Sequence, residues 1–267
     1  MQTKQKFNNN KRKEYNFNTI IFGNKKRIPS VRTAKDMEGV ILDKKWFKKN
    51  SSQPLYYMYR DLAKNEKDAE KIKVANLRFD ILDSAPIKLG KEHNKTAGHY
   101  HSIANGTKFA YPEIYELIKG KAYYLMQKTN GDRVEDVCAI KAESGDKVII
   151  PPNYGHFTIF LLSDSVRMSN WISNSSLSDY DQIKQKHGAA YYALYDKKAK
   201  DRVKWIKNKN YTTIPALRFL KPINFEDFGL VKGVNMYGLV NDLKKLDYLN
   251  NPQNYIELWR RVLNNKN

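Results

Sequence analysis

The sequence predicts an all-β fold for most of its length. From Pro54 onward, short runs rich in β-branched and aromatic residues follow one another closely. Turn signals such as Asn130-Gly131-Asp132 and Ser144-Gly145-Asp146 separate them. The runs leave little room for crossover helices, which favours an antiparallel sandwich or barrel. They read LYYMYR, VANLRFDIL, AGHYHS, EIYELI, KAYYLMQK, DVCAIKA, DKVIIP, GHFTIFLL and SVRMSNWI.

Helix signals lie on either side of these strands. Ser30 and Thr33 are candidate caps for a helix that extends to Lys48. A short helix, DYDQIKQK, follows the strands and precedes another strand, AAYYALY. A last helix is predicted from Pro252 to Leu263, with an apolar face made by Tyr255, Leu258, Trp259 and Val262.

We divide the chain into three parts. Residues 1–28 form a basic, polar arm rich in Asn and Lys, which we predict to be mobile. Residues 29–200 form the β domain with a helical lead-in. Residues 201–267 form a carboxyl-terminal extension that we expect to pack on that domain.

The composition indicates a cytoplasmic protein. Hydrophobic residues make up 41% of the chain, enough for a packed core, and no apolar run is as long as a membrane-spanning helix. The basic amino terminus lacks the apolar stretch of a signal peptide. The single cysteine, Cys138, excludes an intrachain disulfide and is typical of a reducing compartment.

The formal net charge of +20 raises the alternative of a nucleic-acid partner. However, Lys and Asn recur throughout the chain and form no single basic stripe. We therefore attribute the charge to composition bias and expect no nucleic acid. A basic surface still attracts phosphorylated small molecules.

Three of the five histidines lie where metal ligands can meet. His99 and His101 are two residues apart, so both imidazoles point to one face of a strand. Glu113 and His156 begin later strand-like runs. Three imidazoles and one carboxylate suit a divalent Fe, Mn, Ni, Co or Zn ion with open positions. The alternative is that each histidine is an isolated structural residue.

The sequence segments around these residues resemble those of a known family. Glu113, six residues and Gly120 are similar to the end of the first cupin motif, which opens with His-x-His. Gly145, then Pro151 and His156 resemble the second. More specifically, the chain resembles the cupin-type, archaeal-type glucose-6-phosphate isomerases. The phrases that carry this resemblance are RTAKDMEGVILD, TAGHYH, YPEIYELIKGKAYYLMQK, GDKVIIPPNYGHFTI, NWIS, HGAAYYAL, NYTTIPALR, GLVKG and LDYLNNPQNY.

The resemblance implies a cupin barrel, also called a double-stranded β-helix or jelly roll, with helical extensions at both ends. It implies a homodimer that interconverts glucose 6-phosphate and fructose 6-phosphate with one divalent metal ion per subunit. Carried over position by position, it makes His99, His101, Glu113 and His156 the metal ligands. It gives Glu113 or the metal the leading role in the chemistry.

The resemblance also implies where the substrate binds. Thr96 and Gly98 fall where the family binds the sugar phosphate, and Tyr115 lies beside the substrate. Tyr57 is a further substrate-binding candidate, with an aromatic that merely fills the barrel mouth as the alternative.

Two positions depart from the family pattern. Asn153 stands where the second motif usually has Gly, a mild change because Asn tolerates left-handed backbone geometry. Phe160 stands where the motif usually has Asn, which puts substrate orientation in doubt.

Isomerisation moves hydrogen between C1 and C2, and two routes stay open. In one, Glu113 is the base that carries a proton through an enediol. In the other, a hydride shifts and Glu113 only holds the metal. Rival functions are another sugar-phosphate isomerase or epimerase, such as one acting on mannose 6-phosphate, and a sugar-phosphate-binding cupin without turnover. An RNA-associated protein is a third.

Overall fold

The computed structural model describes residues 19–162 and 164–265, and in this part of the chain strands predominate. The strands are β1 (Ile20–Phe22), β2 (Lys25–Arg27), β3 (Ser30–Thr33), β4 (Pro54–Tyr59), β5 (Leu77–Ser84), β6 (Lys88–Leu89), β7 (Glu92–His93), β8 (Tyr100–His101), β9 (Glu113–Lys119), β10 (Lys121–Asn130), β11 (Arg133–Glu143), β12 (Lys147–Ile150), β13 (Gly155–Phe160), β14 (Val166–Ser173), β15 (Ser178–Asp179), β16 (Tyr191–Tyr195), β17 (Val203–Lys207) and β18 (Arg218–Leu220).

Helices are short and lie mainly near the two ends of the described chain. The α-helices are α1 (Lys44–Asn50), α2 (Glu66–Val74), α3 (Asp181–Gln185) and α4 (Ile256–Asn264). The 3-10 helices are Lys35–Val40, Lys200–Arg202, Glu226–Phe228, Met236–Asn241, Leu243–Leu249 and Pro252–Asn254. Among the described residues, no helix has the length and apolar character needed to cross a membrane.

Two sheets that share a hydrophobic core form the centre of the fold, and a further four-stranded sheet has the order β17-β16-β7-β6. The first has six antiparallel strands in the order β12-β9-β14-β5-β4-β3. The second has the order β13-β10-β11-β18, with only β11 and β18 parallel. Leu117 and Met168 from the first sheet share one hydrophobic cluster with Tyr124 and Phe157 from the second. The predicted β-rich fold with mainly antiparallel strands is therefore confirmed, although the described chain also contains several short helices.

The opposite face of the six-stranded sheet is also covered. Phe79 and Trp171 belong to a second hydrophobic cluster, together with Tyr237, Leu246 and Trp259 from the carboxyl-terminal region. The Trp171 Nε1–H donates to the Met236 carbonyl at 3.1 Å. Side chains of this sheet therefore alternate between two cores, as the period of a strand requires.

Part of the predicted amino-terminal helix is wrong. Ser30–Thr33 forms β3, which pairs with β4 along the edge of the six-stranded sheet. Pairing satisfies the backbone there, which local helix signals do not anticipate. Helix α1 begins later and is capped by Asp43, whose side chain accepts the Trp46 N–H at 2.9 Å.

The predicted arm, 1–28, is described only in part. Residues 1–18 lie outside the described residues. Strands β1 and β2 form a hairpin, and Phe22 packs on Phe79 and Tyr237 with ring centroids 5.9 and 5.0 Å away. The three-part division at residues 28 and 200 stays a prediction.

The other two predicted helices are present, but the last α-helix begins at Ile256 and not at Pro252, so Tyr255 lies just before it. DYDQIKQK contains α3, and the last predicted helix contains α4 after a 3-10 turn at Pro252–Asn254. Leu258, Trp259 and Val262 are buried on one face of α4, as their spacing predicts.

An ion pair fixes β18 to the four-stranded sheet. The Arg218 guanidinium donates to both carboxylate oxygens of Asp136, at 2.9 and 2.6 Å. The Tyr154 hydroxyl donates to the same carboxylate at 2.7 Å. Burial alone would raise the pKa of Asp136, but these donors lower it below its ordinary value.

We expect Asp136→Asn to lower the free energy of unfolding by about 1–2 kcal/mol, because it removes a two-pronged charged hydrogen bond. Urea unfolding measures this, with the exposed pair variant Glu257→Gln as a control that changes little. Because the folded-state pKa of Asp136 is lowered, its contribution is present at neutral pH. It is lost as the pH falls below the ordinary Asp value of 3.8. Equal stabilities of wild type and Asp136→Asn at pH 7 would contradict this role.

Candidate metal centre

Backbone pairing brings His99 and His156 together. His99 and His156 lie opposite each other in an antiparallel bridge, with the two N–H to O distances at 3.3 and 3.0 Å. His101 follows His99 by two residues, so the pleat returns its side chain to the same face. Glu113 is the first residue of β9, in the six-stranded sheet. The four side chains thus come from three separate segments.

The structure brings all four predicted ligands together. One donor atom from each of His99, His101, Glu113 and His156 lies within 4.8 Å of all the others. The Glu113 Oε2 lies 3.4 Å from His101 Nε2 and 3.2 Å from His156 Nε2. The Nε2 atoms of His99 and His101 are 3.1 Å apart. Such a group can hold a metal ion.

The donor set fits a divalent cation. His101 Nδ1 lies 2.8 Å from the Tyr111 carbonyl, which can only accept, so Nδ1 carries the proton. Nε2 of His101 then presents a lone pair to the cluster. Glu113 Oε2 is buried without a hydrogen-bond partner. Lone pairs and a carboxylate that face one another are stabilised by a shared cation.

Burial sets the charge state of the cluster. It lowers the pKa of His99 well below the ordinary value, and the neighbouring His156 and His101 lower it further. Burial likewise lowers the pKa of His156, partly offset by Glu113. Burial would raise the pKa of Glu113, but the nearby imidazoles of His101 and His156 lower it well below the ordinary value. His99 and His156 are therefore neutral and Glu113 ionised at pH 7, as metal ligation requires.

Tyr115 lies beside the cluster. Its hydroxyl is 3.1 Å from His156 Nε2, and the ring is buried. Burial raises the pKa of Tyr115 well above the ordinary value, and the charge of Glu113 raises it further. The side chain is thus a neutral phenol that can donate a proton or a hydrogen bond.

A cavity opens next to the cluster. His99, Glu113 and Tyr115 line it, and so does Thr96. Cross-strand pairing places Tyr115, Asn170 and Asp80 in one row across β9, β14 and β5. All three members of this row line the cavity.

The predicted substrate residues differ in their placement. Thr96 lines the cavity, and its Oγ1 accepts the Thr158 N–H at 2.9 Å. Gly98 is not among the lining residues. Its φ is +74°, and a Cβ there would lie 2.0 Å from the Phe157 ring, so close packing requires glycine.

Tyr57 does not line the cavity. Tyr56, Met58 and Arg60 line it, at the spacing of one strand face, whereas Tyr57 packs against the second hydrophobic cluster. The register of β4 therefore places Tyr56 in the cavity, one residue away from the aromatic that the sequence suggested.

The two departures from the motif are structurally accommodated. Asn153 has a left-handed φ of 68°, and its side chain accepts the Ala110 N–H at 2.7 Å. Phe160 is buried in the first core, with its ring centroid 6.3 Å from that of Tyr56. Phe160 therefore supports a cavity wall and does not line the cavity.

Sequence reasoning missed the charged residues of the cavity. Arg32, Arg60, Arg78 and Asp80 all line it. The Arg78 Nε donates to Asp80 Oδ2 at 2.9 Å. Arg78, Asp80 and Leu82 alternate along β5, so the period of two was a usable signal for their shared face.

Comparison with known proteins identifies the family. The family model described as glucose-6-phosphate isomerase (GPI) matches residues 31–213, more than half of the chain. The chain belongs to this family. The predicted membership is thereby confirmed, and the match includes the whole histidine and glutamate cluster.

Individual members of the glucose-6-phosphate isomerase family align over about two thirds of their length or more. The enzyme of Thermococcus litoralis is 33% identical over 145 residues, which cover 54% of this chain and 67% of that one. The enzyme of Pyrococcus abyssi is 32% identical, covering 54% and 68%. The enzyme of Thermococcus gammatolerans is 29% identical over 169 residues, covering 63% and 80%.

We expect His156→Ala to weaken binding of divalent metal by at least about 100-fold, because it removes one ligand and the partner of Glu113. Titration of the metal-free chain with Ni or Zn measures the loss. The control His187→Asn changes a histidine outside the cluster and keeps the left-handed backbone, so its metal affinity stays unchanged. Unaltered metal binding by a folded His156→Ala chain would contradict the ligand assignment.

Proposed function

We propose that this chain is a metal-dependent glucose-6-phosphate isomerase that interconverts glucose 6-phosphate and fructose 6-phosphate. The observation that carries the proposal is the convergence of His99, His101, Glu113 and His156 beside a cavity lined by arginines. Membership in the glucose-6-phosphate isomerase family and the names of the relatives support the same substrate.

We further propose that the two facing sheets form a cupin barrel. The shared core between them and the position of the cluster on strands of both sheets support this architecture. A homodimer and a cytoplasmic location stay predictions from the sequence.

The four clustered residues would hold one divalent ion. When bound, such an ion polarises a substrate carbonyl as a Lewis acid and stabilises negative charge on oxygen. The proposed role of the imidazoles is to fix its position. His101 is oriented for this by its hydrogen bond to the Tyr111 carbonyl at 2.8 Å.

Glu113 and Tyr115 are the proposed catalytic pair. Glu113 is ionised and can accept a proton, while Tyr115 is a neutral phenol that can donate one. Their side chains point to the same face of β9, two residues apart, and both line the cavity. They are therefore placed to act on adjacent oxygen and carbon atoms of one substrate. The lowered pKa of Glu113 makes it a weak base, which keeps the hydride route open beside the enediol route.

Thr96 is the proposed hydrogen-bond donor to the substrate phosphate. Because its oxygen already accepts the Thr158 N–H, its own proton is available for a ligand in the cavity. Tyr57 does not line the cavity, so we assign its side chain no contact with the substrate. The Gly98 backbone N–H stays a predicted contact of the phosphate.

A sugar-phosphate-binding protein without turnover is the rival. Phe160, which stands where the family motif usually has Asn, would favour this rival if it disturbed the site. Phe160 packs in the core and leaves the catalytic pair in place, so it gives no reason to favour the rival.

We expect the chain, stripped with chelator and given Fe, Mn, Ni, Co or Zn in turn, to convert fructose 6-phosphate to glucose 6-phosphate only when a metal is restored. A coupled assay for glucose 6-phosphate measures the rate. Metal binding without turnover by a folded chain would contradict the proposal and favour the rival. Supplying mannose 6-phosphate instead, with an added glucose-6-phosphate isomerase that converts any fructose 6-phosphate formed, separates the alternative isomerase.

We expect Glu113→Gln to lower kcat by about 100- to 10,000-fold, because an amide cannot accept the proton. Tyr115→Phe removes the donor but leaves the ring in place, and we expect a loss in the same direction. Both rates are to be compared at saturating metal, so that a weaker metal site does not account for the loss. Wild-type kcat in Glu113→Gln would contradict its catalytic role.

A further inference from the structure

Arg32 presents an unsatisfied cation to the cavity. It lies on β3 and lines the cavity beside Tyr56 and Thr96. The Arg32 side chain is half-buried, and its Nε is fully buried without a hydrogen-bond partner. A buried N–H that donates to nothing is uncommon in a native protein.

Neighbouring acidic groups do not neutralise Arg32. Among residues 19–162 and 164–265, no carboxylate lies within ion-pair distance of its guanidinium, whereas Arg78 and Asp80 of the same cavity pair with each other. The nearest acidic residue along the chain, Asp36, accepts the Thr33 N–H at 2.7 Å and the Thr33 hydroxyl at 2.8 Å. Its carboxylate is thus engaged with the start of the 3-10 turn.

The surroundings hold Arg32 in place without removing its charge. The Tyr56 hydroxyl interacts with the guanidinium and also accepts the Ala97 N–H at 3.2 Å. The Tyr180 ring centroid lies 5.9 Å from Arg32 Cζ, within the range of a cation–π contact. These partners orient an arginine, but neither supplies the anion that a half-buried cation needs.

The position of Arg32 relative to the metal cluster suits one small ligand. The same Tyr180 ring lies 5.3 Å from the His99 ring, so it contacts both the cluster and the guanidinium. Thr96, with its free hydroxyl proton, comes three residues before His99 and lines the same cavity. One ligand can therefore reach the metal ligands at one end and Arg32 with Thr96 at the other.

We propose that Arg32 is the residue that selects phosphorylated substrates, and that its guanidinium binds the phosphoryl group together with the Thr96 hydroxyl. A planar guanidinium matches two phosphate oxygens at once, which a lysine cannot do. The identity of the sugar rests on the proposed function. The phosphoryl subsite itself rests only on the contacts of Arg32.

Inorganic phosphate is the first probe, because it tests the subsite without metal or turnover. We expect the metal-free full chain to bind phosphate and Arg32→Gln to bind it about 10- to 100-fold more weakly, measured by calorimetry. The phosphate affinity of Arg32→Lys should lie between those of wild type and Arg32→Gln, because lysine keeps the positive charge but cannot donate two parallel hydrogen bonds. The control Arg260→Gln removes the same charge from an exposed helix position and should bind phosphate like wild type.

A second measurement uses the substrate. We expect kcat/KM for fructose 6-phosphate to fall by a similar factor in Arg32→Gln, mostly through KM, while its affinity for metal and its melting temperature stay close to wild type. An unchanged metal affinity shows that the cluster is intact.

The outcomes separate the two proposals. Phosphate binding that depends on Arg32, in a chain without isomerase activity, would retain the subsite and reject the proposed function. If Arg32→Gln bound phosphate as tightly as wild type and kept the wild-type KM, the proposed phosphoryl subsite would be overturned. The proposed isomerase function would not be affected by that result. A wild-type chain that does not bind phosphate would also overturn the subsite.

Discussion

The backbone pairing of His99 with His156 is the constraint on which the site depends. It ties the segment before β8 to β13, so two imidazoles from residues far apart in sequence share one bridge. Glu113 reaches them from the other sheet, and the shared hydrophobic core fixes the distance between the sheets. Sequence, core packing and ligand geometry are therefore linked: a looser core would separate the carboxylate from the histidines.

Around this bridge, the cavity is lined with charges in distinct states. The pair of Arg78 and Asp80 is satisfied internally, and Asp80 also accepts the Asp61 N–H at 3.0 Å. Glu113 Oε2 and Arg32 Nε are instead buried without hydrogen-bond partners. Unsatisfied groups of opposite sign in one cavity indicate a ligand that brings a cation to one end and an anion to the other. A metal ion and a phosphorylated sugar meet both requirements.

Much of the candidate metal centre could be predicted from the sequence, because the placement of its ligands depends on the local periodicity of a strand. The His99-x-His101 spacing on a strand places both rings on one face whatever the rest of the fold does. Periodicity alone did not show which of two adjacent tyrosines on β4 faces the cavity, because that depends on the register of the strand. Tyr56 and Tyr57 are adjacent aromatics, and the pairing of β3 with β4 contains a register shift between Arg32 and Thr33.

Arg32 was hidden for a related reason. Its segment carries residues that cap helices, and only the tertiary pairing with β4 makes it an edge strand facing the cavity. The charge cluster at Arg78 and Asp80 obeys a visible period of two, but a charge on a strand more often faces solvent. Knowing that both faces of this sheet are covered would have excluded that interpretation.

The double coverage of the six-stranded sheet has a consequence for how this protein can change over evolutionary time. Trp171 points into the outer core, while its neighbours Asn170 and Ile172 line the cavity. A substitution under the carboxyl-terminal cover that tilts Trp171 also moves both neighbours. The shape of the cavity and the packing of the outer layer are therefore inherited together. Divergence in the carboxyl-terminal segment should be accompanied by compensating changes on β14, even at positions that never touch a ligand.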